Sequence, residues 1–190
     1  TVYPVSSQIV RLIAVNDQGK TLIGEKGIEQ NTGKIVYITT NKRFPAIPEV
    51  IGALKSAHGM IFGPGSLYTS IIPNLLVEGV AERIVKSPAL KIYVANVMTQ
   101  PGETEGYGVY DHVRAIYQHA GAEGFIDYCI VNTEKVPDEI YKRYLKDGAS
   151  MVKTDAGKIK KLGIKIVERD LLQISKGYVR HDPAKLMKAV

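Results

Sequence analysis

Apolar positions along this chain change their spacing several times, and each change marks an element. Residues 9 to 15 and 21 to 24 read as two strands of a hairpin that turns at Asp17-Gln18-Gly19. A second strand-like run, Lys34 to Thr39, precedes Asn41-Lys42-Arg43-Phe44-Pro45. Next, Ile47, Val50, Ile51 and Leu54 keep helical spacing up to Ala57. Met60 to Phe62 is a short apolar run of the kind that forms a buried strand, and the helical start after it carries Pro73 in its first turn. Val77, Val80, Ala81, Ile84 and Val85 place one apolar face on a further helix, closed by Pro88. Ile92 to Ala95 and Tyr128 to Val131 are two more core strands. Between them Val109, Val113, Ile116, Tyr117 and Ala120 mark a helix that Gly121 stops. Pro137 opens a helix running to Lys146, Ile164 to Val167 is a strand, and Pro183 to Val190 forms a last short helix.

Strands that are apolar throughout, alternating with amphipathic helices, predict an α/β fold. Its mostly parallel sheet is covered by helices on both faces, giving three layers, with the hairpin added at the N-terminus. At 190 residues the chain suits a single domain, residues 1–190, able to bury roughly 70% of its extended surface. Apolar content of 45% and charged content of 23% are those of an ordinary soluble protein, and no apolar run is long enough to span a membrane. The N-terminus, Thr1-Val2-Tyr3-Pro4, lacks both Met and a basic-then-apolar leader, so the chain reads as part of a longer one. One cysteine, Cys129, cannot form an internal disulfide. It lies in an apolar run as a buried thiol, which fits a reducing cytoplasm.

The net charge of +6 favours acidic ligands in general. The basic residues are nevertheless spread along the chain. Their densest cluster, Lys153 to Lys165, reads as one solvated helix face carrying Lys158, Lys160 and Lys161. No aromatic residue interleaves with it, which argues against a nucleic-acid partner.

The chemistry concentrates in loops that follow strands, where open parallel sheets bind ligands. Met60 to Phe62 ends at Gly63-Pro64-Gly65-Ser66, followed by the hydroxyls of Thr69 and Ser70 and then by a helix. Strand, glycine turn, hydroxyls and helix make a place where main-chain N–H groups can hold a phosphate. The same turn also suits a purely structural corner, and it matches neither the Walker nor the dinucleotide spacing. Asn96 to Asp111 is longer than the usual connection of about 2–6 residues. Asp111 suits an N-cap or a ligand contact, and His112 a surface or a site position. Tyr178-Val179-Arg180-His181-Asp182 reads either as a charged cap before a helix, with Asp182 capping and Pro183 first in the helix, or as a phosphate contact through Arg180. His58 and His119 look incidental. No Cys/His spacing suits structural zinc, and no nucleophile elbow is present.

The run Gly63-Pro64-Gly65-Ser66-Leu67-Tyr68-Thr69-Ser70-Ile71-Ile72-Pro73-Asn74-Leu75-Leu76 resembles the signature of the YvcK-type gluconeogenesis factors, in the superfamily of the CofD-type 2-phospho-L-lactate transferases. Asn96 to Thr104, Asp111-His112 and Arg180-His181-Asp182 resemble three further blocks, in the same order. The resemblance implies a Rossmann-like fold and a bound nucleotide derivative. For the gluconeogenesis-factor branch this is a UDP-sugar, held by a cytoplasmic protein acting in carbon metabolism, cell shape and cell-wall synthesis, with no catalytic activity implied. For the transferase branch it is a guanosine diphosphate derivative whose phospholactyl group passes to a deazaflavin, with Mg²⁺ accompanying the diphosphate. The binding candidates that follow from the matched blocks are Gly63, Pro64, Gly65, Ser66, Tyr68, Thr69, Asn96, Thr99, Gln100, Glu103, Thr104, Asp111, Tyr144 and Arg180. Family members start with a strand and a glycine-rich phosphate loop that are absent here. The expectation is therefore a C-terminal portion with an open sheet edge, weak ligand binding when alone, and association into a homo-oligomer.

Overall fold

Residues 1–190 are described by a computed structural model. The hairpin strands β1 (Leu12–Asn16) and β2 (Thr21–Ile23) pair antiparallel, and the chain continues through α1 (Gly24–Glu29) to β3 (Ile35–Thr40). β3 pairs with the other edge of β1, so the N-terminal hairpin becomes a separate three-stranded sheet in the order β2-β1-β3. After α2 (Pro48–Ser56) comes the parallel sheet. It contains β4 (Gly59–Phe62), β5 (Leu90–Val94), β6 (Tyr128–Asn132) and β7 (Lys165–Arg169), side by side in chain order. The crossovers carry α3 (Ile72–Leu75) and α4 (Val80–Lys86), then α5 (Val109–Ala120), then α6 (Asp138–Lys146) and α7 (Ala156–Lys161). A second hairpin, β8 (Leu172–Ser175) and β9 (Tyr178–His181), leads to α8 (Pro183–Met187).

Alternation along the parallel strands decides which helix covers which face. Tyr93, Ala95, Cys129 and Val131 point to one side. There they join Ile84 of α4, Val113 and Ile116 of α5 and Ile159 of α7 in a core that continues into the β1–β3 sheet. Ile92, Val94 and Ile130 point to the other side, against Leu171 and the Leu186 of α8. Helices therefore lie on both faces, but cover the second one only in part: Ile61 of β4 is 51% exposed there. The outer edge of β4 has no strand partner.

Several local features differ from the sequence expectation, each for a physical reason. The helix at Pro73 begins earlier, because residues 67–71 already form a wide turn in which the amide of Ile71 reaches the Ser66 carbonyl five residues back. Pro73 has no N–H and its ring crowds the preceding turn, so a widened coil accommodates it. Lys153–Lys165 is not one solvated helix face. Only Ala156–Lys161 is helical, its Ile159 is fully buried, and Lys153 bonds the Val109 amide through its carbonyl. Arg180 and His181 lie in a strand rather than in a helix cap, while Asp182 does cap α8, accepting from the amides of Ala184 and Lys185. His119 is not incidental. Its Nε2 accepts from the Ile38 amide at 3.0 Å and its Nδ1 contacts the Ala115 carbonyl at 2.7 Å, which joins α5 to β3. Cys129 is a fully buried thiol, and burial pushes its pKa up to about 12.

Candidate functional site

A cleft of about 720 Å³ opens where β4 and β5 end, lined on one side by Pro64, Gly65, Ser66, Asn96, Thr99 and Gln100. The opposite wall is Tyr144 with Asp147, and Tyr178, Arg180 and His181 of β9. Its volume lies within the range of small-molecule sites. The turn that forms the first wall requires glycine. Gly63 has φ +87°, and a Cβ there would meet the Val94 carbonyl oxygen at 3.1 Å and Ile71 Cδ1 at 3.3 Å. Ser66 leads into the helical segment, and its Oγ accepts from Gln100 Nε2 at 2.7 Å. Gln100 is held in turn by its own amide, which donates to Thr104 Oγ1 at 2.9 Å. The turn after β4 and the loop after β5 are thus bolted together by short polar side chains. Asn96 lies on the cleft wall, and Gln100 Oε1 is buried without a hydrogen-bond partner.

The second wall is supplied by α6 and the β8–β9 hairpin, which share a small apolar core of Val97, Met98, Val136, Leu172 and Val179. Tyr144 is half-buried against that core, and its hydroxyl accepts from the Val179 amide at 3.0 Å. Arg180 reaches no carboxylate. Its Nη1 bonds the neighbouring Val179 carbonyl at 3.1 Å, and the guanidinium lies 5.4 Å from the Tyr178 ring centroid. An uncompensated guanidinium facing hydroxyls, amides and the end of a parallel sheet is a setting for an anionic, hydroxyl-rich ligand. Desolvation lowers the pKa of His181, so it is neutral near pH 7, and its Nε2 is buried without a partner.

Sequence comparison adds a decisive match: the sequence profile of the 2-phospho-L-lactate transferase CofD fits residues 1–172. The chain belongs to the CofD family. Within that family its curated relatives include the gluconeogenesis factor of Bacillus subtilis, 41% identical over 187 residues, covering 97% of this chain and 58% of that protein. The gluconeogenesis factor of Halalkalibacterium halodurans is 37% identical, covering 100% of this chain and 59% of that one. A crystal structure of a UPF0052 family protein from Bacillus halodurans superposes with a TM-score of 0.93 at 36% identity, over 99% of this chain and 61% of the other. The chain therefore spans only part of the curated relatives it matches, from 42% to 60% of their length.

In this CofD-family chain the residues singled out from sequence fall into three places. Pro64, Gly65, Ser66, Asn96, Thr99, Gln100, Tyr144 and Arg180 line the cleft. Gly63 lies behind it, in an apolar groove of about 530 Å³ along the unpaired edge of β4 that also takes in Tyr3, Val5 and Ile61. Tyr68, Thr69, Glu103, Thr104 and Asp111 do not line the cleft. Tyr68 is buried, its hydroxyl 3.0 Å from that of Tyr107, which donates to the Ile35 carbonyl at 2.9 Å. Thr69 is half-buried on the wide turn, and Thr104 is fully buried as the acceptor for Gln100. Asp111 accepts from the Gly108 amide at 2.8 Å, one half of a cap on α5. His112 is buried, with Nδ1 2.8 Å from the Gly108 carbonyl.

Glu103 is the most unusual of the set. It is 4% exposed, faces the Tyr68 amide at the start of the helical segment, and leaves Oε2 without a partner. Burial, aided by Glu29, outweighs that amide and lifts its pKa to about 7. No group of three or more His, Cys, Asp or Glu is placed to hold a metal. A divalent cation accompanying a diphosphate would take its ligands from phosphate oxygens and water rather than from a protein cage. Sequence reasoning missed Tyr178 and Asp147 as cleft residues, and met His181 only as the neighbour of Arg180 in the Arg180-His181-Asp182 block. Tyr178 was findable: apolar Leu172 and Ile174 alternate up to Lys176-Gly177, a pair with φ of +50° and +78° that makes a two-residue hairpin turn.

Proposed function

We propose that this chain forms most of the binding cleft of a nucleotide-sugar-binding regulatory protein of the gluconeogenesis-factor type, acting in carbon metabolism, cell shape and cell-wall synthesis in the cytoplasm. The ligand is a UDP-sugar. Its diphosphate lies between the Gly65–Ser66 turn and the Arg180 guanidinium, with Asn96 and Thr99 on its flank. The observation that carries this reading is that Arg180, which forms no ion pair, lines the same cleft of about 720 Å³ as Ser66 and Asn96. The names of the relatives at about 40% identity support the regulatory class. Isothermal calorimetry of the natural-length protein with UDP-N-acetylglucosamine tests it. Saturable heat is the expected result, and no heat at millimolar ligand refutes the reading.

The family profile favours a second reading, a transferase that passes a phospholactyl-type group from a guanosine diphosphate derivative to a deazaflavin hydroxyl. Here the acceptor hydroxyl attacks the phosphorus, the nucleotide leaves with the bridging oxygen, and the hydroxyl proton needs an acceptor in the cleft. Neutral His181 and Asp147 are the groups available for it. Turnover of a deazaflavin acceptor with the guanosine donor would establish this activity, and its absence alongside UDP-sugar binding would exclude it.

A further inference from the structure

The two tyrosines of the cleft have different duties. Tyr144 is half-buried, and its hydroxyl is spent on the Val179 amide, so it sets the position of β9. Tyr178 lies one pleat away, is 56% exposed, and makes no hydrogen bond through its hydroxyl. Two guanidiniums lie close to its ring. Arg143 lies 5.8 Å from the centroid and Arg180 5.4 Å, both within cation–π reach. Neither is neutralised by a carboxylate. Arg143 donates to the Gly177 carbonyl and Arg180 to the Val179 carbonyl, so both are anchored to the hairpin backbone.

The hairpin itself is set by its sequence. The left-handed pair Lys176-Gly177 turns the chain so that Tyr178 begins β9 opposite Ser175. Arg143, from the last turn of α6, grips that turn by its Gly177 carbonyl. An exposed ring with two planar cations, fixed from two elements at the lip of a polar cleft, is more than a solvated surface tyrosine. Planar heterocycles stack on aromatic rings and on arginine planes, and such stacking does not depend on the base.

We infer that Tyr178, steadied by Arg143, is the platform on which the heterocycle of a nucleoside diphosphate stacks, while Arg180 serves its phosphates. This rests on the diphosphate reading given above and adds where the base lies. It also assigns Arg143 a positioning role, acting through Tyr178 and the hairpin turn.

The test compares two probes, uridine 5′-diphosphate and inorganic diphosphate, on the natural-length protein and its Tyr178→Ala and Tyr178→Phe variants. Stacking on an aromatic side chain is worth about 1–3 kcal/mol per base, so Tyr178→Ala should weaken uridine diphosphate about 5- to 150-fold. Binding of inorganic diphosphate should stay within twofold, and Tyr178→Phe should bind both probes like the parent. Arg143→Ala should share the nucleotide-selective loss in milder form. Equal weakening of both probes, or no weakening of either, overturns the inference while leaving the phosphate site standing. If the parent protein binds inorganic diphosphate as tightly as uridine diphosphate, there is no base subsite and the inference fails alone. If it binds neither, the diphosphate reading fails with it.

Discussion

The buried carboxylate of Glu103 makes a prediction about stability that owes nothing to the ligand. Folding moves this group from water to a site where it is 4% exposed and where Oε2 finds no partner. Its pKa rises from 4.5 to about 7 because burial outweighs the single amide that faces it. A carboxyl whose pKa is raised by folding is protonated in both states below pH 4.5 and costs nothing there. Between about pH 4.5 and 7 the unfolded chain ionises first, so stability falls as pH rises. Each pH unit in this window removes about 1.4 kcal/mol, and roughly 3 kcal/mol is lost once both states are ionised. Glu103→Gln keeps the shape and an acceptor oxygen for Tyr68 but removes the charge. It should therefore be more stable than the parent by roughly 3 kcal/mol at pH 8 and nearly equal to it at pH 4.5. Urea unfolding at half-unit pH steps measures both proteins. The difference between them isolates Glu103 from other titrating groups, which matters because the buried histidines act in the opposite direction. A variant less stable than the parent at pH 8, or a difference that does not grow from pH 5 to pH 7, would refute the argument.

Arg180→Ala should weaken a nucleoside diphosphate about tenfold or more, since a charge-assisted hydrogen bond is worth about 1.5–3 kcal/mol. Its urea midpoint should remain close to the parent's, and a collapsed midpoint would show that Arg180 is structural instead. His119→Ala leaves the Ile38 amide without its acceptor and should cost about 1–3 kcal/mol by urea unfolding. Desolvation holds the pKa values of His112, His119 and His181 below the usual histidine range. The unfolded chain then binds more protons than the native one, and their contribution is lost as pH falls below about 6.5. An acid limb that persists unchanged in His119→Ala would remove that residue from the account. Cys129 should resist thiol reagents at pH 8 in the folded protein and react at once in urea, because its thiol is buried and its pKa lies near 12.

The parallel sheet was legible because β4, β5 and β6 carry short, mainly apolar runs bounded by turn residues, while β7 shows only the apolar pair Ile166-Val167 between charged residues. Met60 and Phe62, or Val113 and Ile116, announce their place by spacing alone. Harder to see was the three-stranded sheet, since pairing of β3 with β1 depends on a contact across more than twenty residues that no local pattern encodes. The helix α1 opens on glycine, has no side-chain cap and buries only Ile28, so it carries almost no helical signal. In the cleft, Pro64 to Ser66 and Asn96 could be placed from their position after apolar strands. Glu103, Thr104 and Asp111 share the same polar loop yet turn inward. The sequence shows a run of polar residues there but not which of them the loop uses to hold itself together. The β8–β9 hairpin brings Tyr178 and Arg180 to the cleft from the far end of the chain, which depends on packing against α6 through Val179 and Tyr144.

The central claim is that phosphoryl oxygens lie between the Gly65–Ser66 turn and Arg180. The most direct measurement is a crystal structure of the natural-length protein soaked with UDP-N-acetylglucosamine. The account predicts diphosphate density within hydrogen-bond distance of the Arg180 guanidinium and the Ser66 hydroxyl or amide, with Asn96 beside it. A ligand seated elsewhere, for example along the apolar edge of β4, with this cleft empty, would contradict it.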